Sequence, residues 1–239
     1  MSSVQGFDIA ESDYALAGDD GLRHGGVHVW LAASGSKILS RPTPGEALQR
    51  RHDAQNLLLR LLSACTGRPV ETDSLRTGEQ GKPWLPDGPH FNLSHSAEAS
   101  AVAISPCEVG IDIEHPSRAP QAVALAERFF HRDECSQIRS APHPTSAFLE
   151  FWVCKEAMVK LSGEGIYRGL PHARVLAGGG DVHGFYRGKR VFLTPLGEQI
   201  GMTGALALWE DVPVKMVVIG KKSERMSRCH FKISDFPKQ

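Results

Sequence analysis

The clearest pattern of hydrophobic and polar positions in this chain is a short alternation at residues 109–114. Three aliphatic residues alternate with a glycine and two acids, and the two sets are Val109, Ile111 and Ile113 against Gly110, Asp112 and Glu114. Because successive side chains of a β-strand point to opposite faces, this period of two predicts a strand with both carboxylates on one face. Residues two apart on a strand are about 6.5–7 Å apart, so both carboxylates can reach one hard cation such as Mg²⁺. For an isolated pair of this kind, the alternative is an exposed strand face that binds nothing.

Helical spacing dominates residues 43–67. Thr43 can cap a helix, Pro44 occupies its first turn and Glu46 completes a capping box. An apolar stripe continues to Leu62, and Gly67 ends the predicted helix. The arginines on or beside it have two interpretations, a solvated face or an edge that binds phosphate; those named as candidates are Arg41, Arg50 and Arg51.

The remaining pattern predicts an α+β fold. A strand at 101–104 and the strand at 109–114 are expected to form one small antiparallel sheet. Helices are predicted at 121–130 and 144–161, followed by strands at 190–193, 205–209 and 214–219. The predicted organisation is a loose lead-in at 1–25, an N-terminal lobe at 26–115, a C-terminal lobe at 116–220 and a flexible basic tail at 221–239.

Composition narrows the function classes. The formal net charge of the 239-residue chain is zero, so no global field would recruit nucleic acid. No apolar run reaches the length of a membrane span, and the polar N-terminus lacks the pattern of a signal peptide. The five cysteines are scattered without a C-x-x-C motif and are typical of reduced thiols in a cytoplasmic protein.

A third acid lies on the second long helix. Glu156 and Lys160 are i,i+4 neighbours on one helical face, and Trp152 is one turn before Glu156. Taken alone, the pair is an ordinary surface ion pair. Combined with Asp112 and Glu114 it suggests three carboxylates around one cation, which is how proteins hold Mg²⁺ for phosphate chemistry. A lysine beside such a site can stabilise charge on a leaving phosphate.

Five sequence motifs, in a fixed order, allow these candidate residues to be compared with a known family. They are Gly81-Lys82-Pro83, then Phe91-Asn92-Leu93-Ser94-His95-Ser96, then Gly110-Ile111-Asp112-Ile113-Glu114, then Phe129-Phe130 with Glu134, and finally Trp152, Lys155, Glu156 and Lys160. Together they resemble the signature of the surfactin-type 4'-phosphopantetheinyl transferases, from about residue 76 to 166. Outside that span the resemblance is only general.

The resemblance implies a fold and an activity. Members of the family transfer the phosphopantetheine arm of coenzyme A to a serine of an apo acyl or peptidyl carrier protein and release 3',5'-ADP. Carriers of fatty-acid, polyketide and nonribosomal-peptide synthesis all present such a serine, and the sequence does not choose among them. The implied fold is a pseudo-dimer of two similar lobes, each a small antiparallel sheet packed with helices, acting as a cytoplasmic monomer without nucleic acid or membrane.

The resemblance also assigns roles by position. The implied metal ligands for Mg²⁺, with Mn²⁺ as an alternative, are Asp112, Glu114 and Glu156. Glu156 is further implied as the base for the carrier serine, and Lys160 as the group that stabilises the leaving pyrophosphate oxygen and contacts coenzyme A. The implied contacts of the nucleotide end are Lys82, Pro83, Ser94 and His95, and Glu134 is given a supporting role.

The sequence departs from the family pattern at one position that is expected to bind the 3'-phosphate of coenzyme A. Several family members have a basic residue in the first long helix where Asn56 stands here. Arg41, Arg50 or Arg51 is expected to substitute for it. Two other functions use the same residues: a metal-dependent phosphodiester or pyrophosphate hydrolase, and a non-catalytic protein that binds coenzyme A. Retention of Glu156 and Lys160 argues against the binding protein, since it needs no base beside a metal.

Overall fold

A computed structural model describes residues 26–33, 43–96, 99–118, 122–178, 181–196 and 200–219. The predicted lead-in, the predicted tail with Cys229, and Arg41 lie outside the described residues. The described helices are α1 (Pro44–Thr66), α2 (Ala122–Phe129), α3 (Arg132–Ser140), α4 (Pro144–Ser162) and α5 (Ile166–Gly169). The described strands are β1 (Val27–Ala33), β2 (Arg76–Thr77), β3 (Pro83–Trp84), β4 (His90–Ser96), β5 (Ala99–Ser105), β6 (Val109–Glu114), β7 (Ala173–Gly178), β8 (Asp181–Tyr186), β9 (Lys189–Leu196), β10 (Thr203–Leu208) and β11 (Val214–Ile219).

The strands form two larger sheets and one short ribbon. The first sheet has the order β11-β1-β5-β4, and the second has the order β6-β10-β9-β8-β7. Neighbouring strands are antiparallel except β1 and β11, which are parallel. Helices and sheets share the core clusters of the described part of the chain. The predicted α+β class is confirmed.

Strand β6 joins a different sheet from the one predicted. The expectation that it completes a sheet with residues 101–104 was wrong, because β6 pairs with β10 of the second sheet. The expectation of purely antiparallel sheets was wrong for the first sheet, where β11 returns to lie parallel beside β1. An alternating pattern identifies a strand but not its partner, which depends on residues about 90 positions further on. Each sheet thus takes one strand from the other predicted lobe, and the lobe boundaries stay a prediction.

Helix α1 begins and ends as predicted. The Thr43 amide donates to Glu46 Oε2 at 2.7 Å, and the Glu46 amide donates to Thr43 Oγ1 at 3.3 Å, which completes the capping box. Gly67 closes the helix at φ 67°, a left-handed conformation that glycine adopts at little cost. Its apolar face packs on the first sheet through a core cluster that includes Leu58, Leu61 and Trp30.

Helix α4 lies against β6 so closely that only glycine fits between them. A Cβ atom added at Gly110 would stand 2.0 Å from the carbonyl oxygen of Ala157 and 2.4 Å from the amide nitrogen of Leu161. The helix ends at Gly163, at φ 72°. This contact covers the face of β6 that also bears Asp112 and Glu114, and it sets the geometry of the candidate site.

Two further expectations concern the environment of the protein. The four described cysteines, Cys65, Cys107, Cys135 and Cys154, are not joined in disulfides, and the reduced state stays a prediction. Among the described residues, the helices are too short or too polar to cross a membrane.

Candidate active site

Asp112 is the centre of the site. Its Oδ1 atom accepts hydrogen bonds from Lys160 Nζ at 2.7 Å and from Ser94 Oγ at 2.8 Å. Its Oδ2 atom is buried and has no hydrogen-bond partner among the described residues. The alternative interpretation, an exposed strand face, is wrong for Asp112, because α4 covers that face and leaves the residue 3% exposed. A buried carboxylate oxygen without a partner is costly, and a bound cation removes that cost.

Lys160 connects the helix to the strand. Its ammonium group is partly exposed and also donates to Ser94 Oγ at 3.1 Å. Glu156 is one turn earlier on α4 and is partly buried. Glu114, at the end of β6, is partly buried as well and pairs with Thr203 across the second sheet. Both carboxylates interact with other groups of the protein.

The predicted metal ligands are Asp112, Glu114 and Glu156. In the ranges that the structure describes, no three His, Cys, Asp or Glu side chains are grouped closely enough to hold an ion. Asp112 does offer a buried carboxylate oxygen without a partner, and the predicted set contains only oxygen ligands, which suit Mg²⁺ and Mn²⁺. The chemistry of the donors therefore fits the metal, while the grouping of all three acids stays a prediction.

His95 follows Ser94 at the end of β4 and belongs to a cluster of positive charge. Partial burial lowers the pKa of His95, the charges of Lys160 and Arg51 lower it further, and Asp112 opposes them. The electrostatic influence of Arg51 on His95 indicates that the outer face of α1 is close to the site. The two cations beside this imidazole favour the binding of an anion such as phosphate. Arg50 lies one position before Arg51 on α1 and is partly buried.

Lys82 contacts the C-terminal end of α4, next to the residue that follows Lys160. Its Nζ atom donates to the carbonyl oxygens of Leu161 at 2.9 Å and of Val109 at 3.3 Å. Burial lowers the pKa of Lys82, and the charge of Glu108 partly offsets that effect. Lys82 and Pro83 line a cavity of about 720 Å³, together with Trp84, Phe91, Gly163 and Arg168 among others.

A second lysine–carboxylate pair on α4 is sealed in the core. Lys155 Nζ donates to Glu134 Oε2 at 2.8 Å and to Oε1 at 3.0 Å, and both side chains are essentially inaccessible. Glu134 also accepts from the amides of Val175 and His131, and Lys155 donates to the carbonyl of Ala173. Burial lowers the pKa of Lys155, while Glu134 raises it. The pair joins α3, α4 and β7.

Trp152 packs away from the metal site that was predicted. Its ring stacks with Phe148 at a centroid distance of 5.7 Å and with Phe130 at 6.2 Å. This aromatic cluster continues to Lys155, whose ammonium lies 4.8 Å from the Phe130 ring centroid. The motif from Trp152 to Lys160 therefore includes one turn that packs in the core and one turn that faces Asp112.

Two residues of interest were missed from the sequence. Asn92 Oδ1 accepts the amide of Ile111 at 2.9 Å, and thereby binds the edge of β6. Burial raises the pKa of Glu150, on α4, to about 7. The available signal for Glu150 was a single acid inside the apolar run of residues 147–154. Asn92 had no signal of its own, since the partner of β4 was not predicted.

The fold and the site together define a class: an α+β protein in which a buried carboxylate on an edge strand is hydrogen-bonded to a lysine on a long helix. Residues 108–189 match the model of the 4'-phosphopantetheinyl transferase superfamily. This match and the relatives below confirm the predicted resemblance to the surfactin-type transferases. The matched segment contains Asp112, Glu114, Glu156 and Lys160.

Relatives agree with the family model. The chain is 41% identical over 101 residues to 4'-phosphopantetheinyl transferase gsp of Aneurinibacillus migulanus, covering 41% of this chain and 42% of that protein. It is 42% identical over 106 residues to 4'-phosphopantetheinyl transferase psf-1 of Bacillus pumilus, covering 43% and 45%. It is 34% identical over 142 residues to the putative 4'-phosphopantetheinyl transferase slr0495 of Synechocystis sp., covering 53% and 56%. The matches thus span about half the length of these curated relatives.

Proposed function

We propose that this protein transfers 4'-phosphopantetheine from coenzyme A to a serine of an apo acyl or peptidyl carrier protein and releases 3',5'-ADP. One observation carries the proposal. Asp112 is buried and hydrogen-bonded to the partly exposed Lys160, and it keeps one carboxylate oxygen without a partner among the described residues. Both residues lie in the segment that matches the superfamily. A protein that only needed an ion pair for stability would have no use for the unpartnered oxygen.

Asp112, Glu114 and Glu156 would hold Mg²⁺, or Mn²⁺, on the pyrophosphate of coenzyme A. When bound, such a cation neutralises negative charge on the phosphate oxygens. Asp112 supplies the buried oxygen, and its other oxygen is fixed by Lys160 and Ser94. Glu114 would complete the set from the end of β6, and Glu156 from the turn of α4 before Lys160.

The proton and the charge are handled by groups of this chain. A serine hydroxyl is a poor nucleophile near neutral pH and needs a base within hydrogen-bonding distance. Glu156 would accept the serine proton, directly or through a water, as the serine oxygen bonds to the phosphorus that bears pantetheine. The bond from that phosphorus to the bridging oxygen of the pyrophosphate breaks, and 3',5'-ADP leaves with the electron pair. Lys160 would stabilise the charge that develops on this leaving oxygen.

The nucleotide end would lie along the cationic side of the site. His95 and Arg51 influence one another electrostatically, which suits a phosphate between β4 and α1. Arg50 would assist Arg51, in place of the basic residue that several family members have where Asn56 stands in this chain. Lys82 and Pro83 would contact the nucleoside part where they line the cavity. Arg41, outside the described residues, and Ser94 complete the predicted contacts.

The proposal includes the organisation of the whole molecule. The family resemblance supports a pseudo-dimer of two similar lobes, 26–115 and 116–220, with the site between them. The contact of β6 with α4 agrees with a site formed from both halves of the sequence. A cytoplasmic location and action as a monomer belong to the same proposal, and size-exclusion chromatography with light scattering tests the monomer.

Intact-protein mass spectrometry tests the function. The protein is incubated with coenzyme A, Mg²⁺ and an apo carrier from each of the fatty-acid, polyketide and nonribosomal-peptide systems, with and without EDTA. A gain of one phosphopantetheine mass that EDTA abolishes supports the transferase. Release of 3',5'-ADP with no carrier modified would indicate the hydrolase instead. No product with any carrier, together with retained coenzyme A binding, would indicate a binding protein.

A further inference from the structure

The outer edge of β6 is bound by side chains where a sheet would use another strand. Within the second sheet β6 pairs with β10, so the amides of Ile111 and Ile113 that point away from β10 need other acceptors. Asn92 Oδ1 accepts the first at 2.9 Å, and Ser94 Oγ accepts the second at 3.2 Å. Both pairs are separated by 19 residues, so β4 and β6 run parallel and in step.

Ser94 differs from Asn92 in what else it touches. Its hydroxyl donates to Asp112 Oδ1 at 2.8 Å and accepts from Lys160 Nζ at 3.1 Å, in addition to the Ile113 amide. A hydroxyl has one hydrogen to donate and two lone pairs, so this group is fully used within the protein. Ser94 is 3% exposed. The hydroxyl therefore joins three parts of the site: the β6 backbone, the Asp112 carboxylate and the α4 lysine.

We propose that Ser94 is a positioning residue, which orients the Asp112 carboxylate for the metal. By holding Oδ1 together with Lys160, it fixes the torsion of the carboxylate so that Oδ2 is the oxygen left for the cation. Asn92, in the same row, fixes only the position of the strand. This inference rests on the proposed metal site, and it gives Ser94 a task apart from the predicted nucleotide contact.

The effect of losing this hydroxyl follows from the geometry. Without Ser94 Oγ, a single hydrogen bond from the partly exposed Lys160 would hold Asp112 Oδ1, and the carboxylate could turn its second oxygen toward the same ammonium. Groups that orient metal ligands through hydrogen bonds typically contribute about 10–100-fold to metal affinity. The loss of one amide acceptor for Ile113 would lower stability as well, so the test needs a control for stability.

The experiment measures Mn²⁺ binding to the full chain by electron paramagnetic resonance of free Mn²⁺, alone and with coenzyme A present. Ser94→Ala is compared with Asn92→Ala, which removes an amide acceptor from the same row without touching Asp112. We expect Ser94→Ala to raise the Mn²⁺ dissociation constant by about 10-fold or more, and Asn92→Ala to change it by less than about 2-fold. Ser94→Thr, which keeps the hydroxyl, should restore most of the affinity. Thermal unfolding of each variant records the cost to stability.

The outcomes separate this inference from the proposed function. Equal Mn²⁺ affinity in Ser94→Ala and the unsubstituted protein would overturn the positioning role even if carrier modification proceeds. Equal losses in Ser94→Ala and Asn92→Ala would also overturn it, since a shared loss of strand stability would then suffice. If the unsubstituted protein binds no Mn²⁺ under either condition, the inference fails. Metal binding that depends on Ser94 without any carrier modification would support the inference while refuting the transferase.

Discussion

Two lysine–carboxylate pairs on α4, five residues apart, have opposite designs. Lys155 and Glu134 are sealed in the core, and both oxygens of Glu134 have hydrogen-bond partners. Lys160 and Asp112 are joined at a similar distance, but the lysine is partly exposed and Asp112 keeps one buried oxygen without a partner. The first pair joins three elements of one core. The second joins a helix to the edge strand of a sheet.

The difference separates structural from functional ion pairs. Burying a charge is tolerated when every polar atom is matched, and Glu134 meets that condition with its two oxygens accepting from Lys155, Val175 and His131. Asp112 fails it by one atom, in a place where the family resemblance puts a cation. Lys155 has no access to solvent and stabilises the fold. Lys160 is partly exposed to solvent and can therefore contact a substrate.

Breaking the sealed pair should have the largest effect on the fold. Lys155→Met leaves the Glu134 carboxylate buried without its cation, and we expect a loss of about 3–5 kcal/mol in the free energy of unfolding. The double variant Lys155→Met with Glu134→Leu should recover only part of that loss, because no buried charge is left but the amides of Val175 and His131 lose their acceptor. Urea unfolding followed by circular dichroism measures both. A loss below about 1 kcal/mol for the single variant would show that the pair contributes little.

Breaking the pair of Asp112 and Lys160 should affect activity far more than stability. Asp112→Asn keeps the shape of the side chain but removes its charge, and we expect carrier modification to fall by about 10³-fold because the cation loses its buried ligand. Asparagine is chosen because Asp112 is buried and hydrogen-bonded, and a smaller side chain would disturb the packing. The measurement is the rate of carrier modification at saturating Mg²⁺, with circular dichroism as the control. Near-normal turnover would refute the metal site.

The sequence predicted the pieces of this comparison better than their assembly. The capping box at Thr43, the helix that ends at Gly163 and the alternation at 109–114 are local patterns, and local patterns determine elements. The partner of β6 could not be predicted, since pairing with β10 is decided by packing between distant residues. For the same reason the burial of Asp112 was missed: the helix that covers it follows 32 residues later in the chain, and only the assembled fold brings Gly110 against Ala157.

Lys160→Ala should separate binding from chemistry. If Lys160 acts on the leaving oxygen, we expect kcat to fall by about 10²-fold with a change in the KM for coenzyme A of less than about 3-fold. Lys160→Arg keeps the positive charge but changes the geometry, so its kcat should lie between that of the unsubstituted protein and that of Lys160→Ala. Steady-state kinetics with a fixed excess of apo carrier gives both constants. An unchanged kcat would return Lys160 to the role of an ordinary ion pair.

Glu150 tests what happens to a carboxyl on α4 that has no lysine. Burial raises its pKa from 4.5 to about 7, so the folded protein holds a proton there that the unfolded chain has released. Stability should therefore fall as the pH rises from 4.5 through 7. Glu150→Gln mimics the neutral form. At pH 8 we expect its free energy of unfolding, measured with urea, to exceed that of the unsubstituted protein by about 1–2 kcal/mol, with little difference at pH 4.5. If the free energies of unfolding of Glu150→Gln and the unsubstituted protein changed with pH in parallel, Glu150 would titrate normally in the folded protein. Burial at this position of α4 would then not raise the pKa of a carboxyl group.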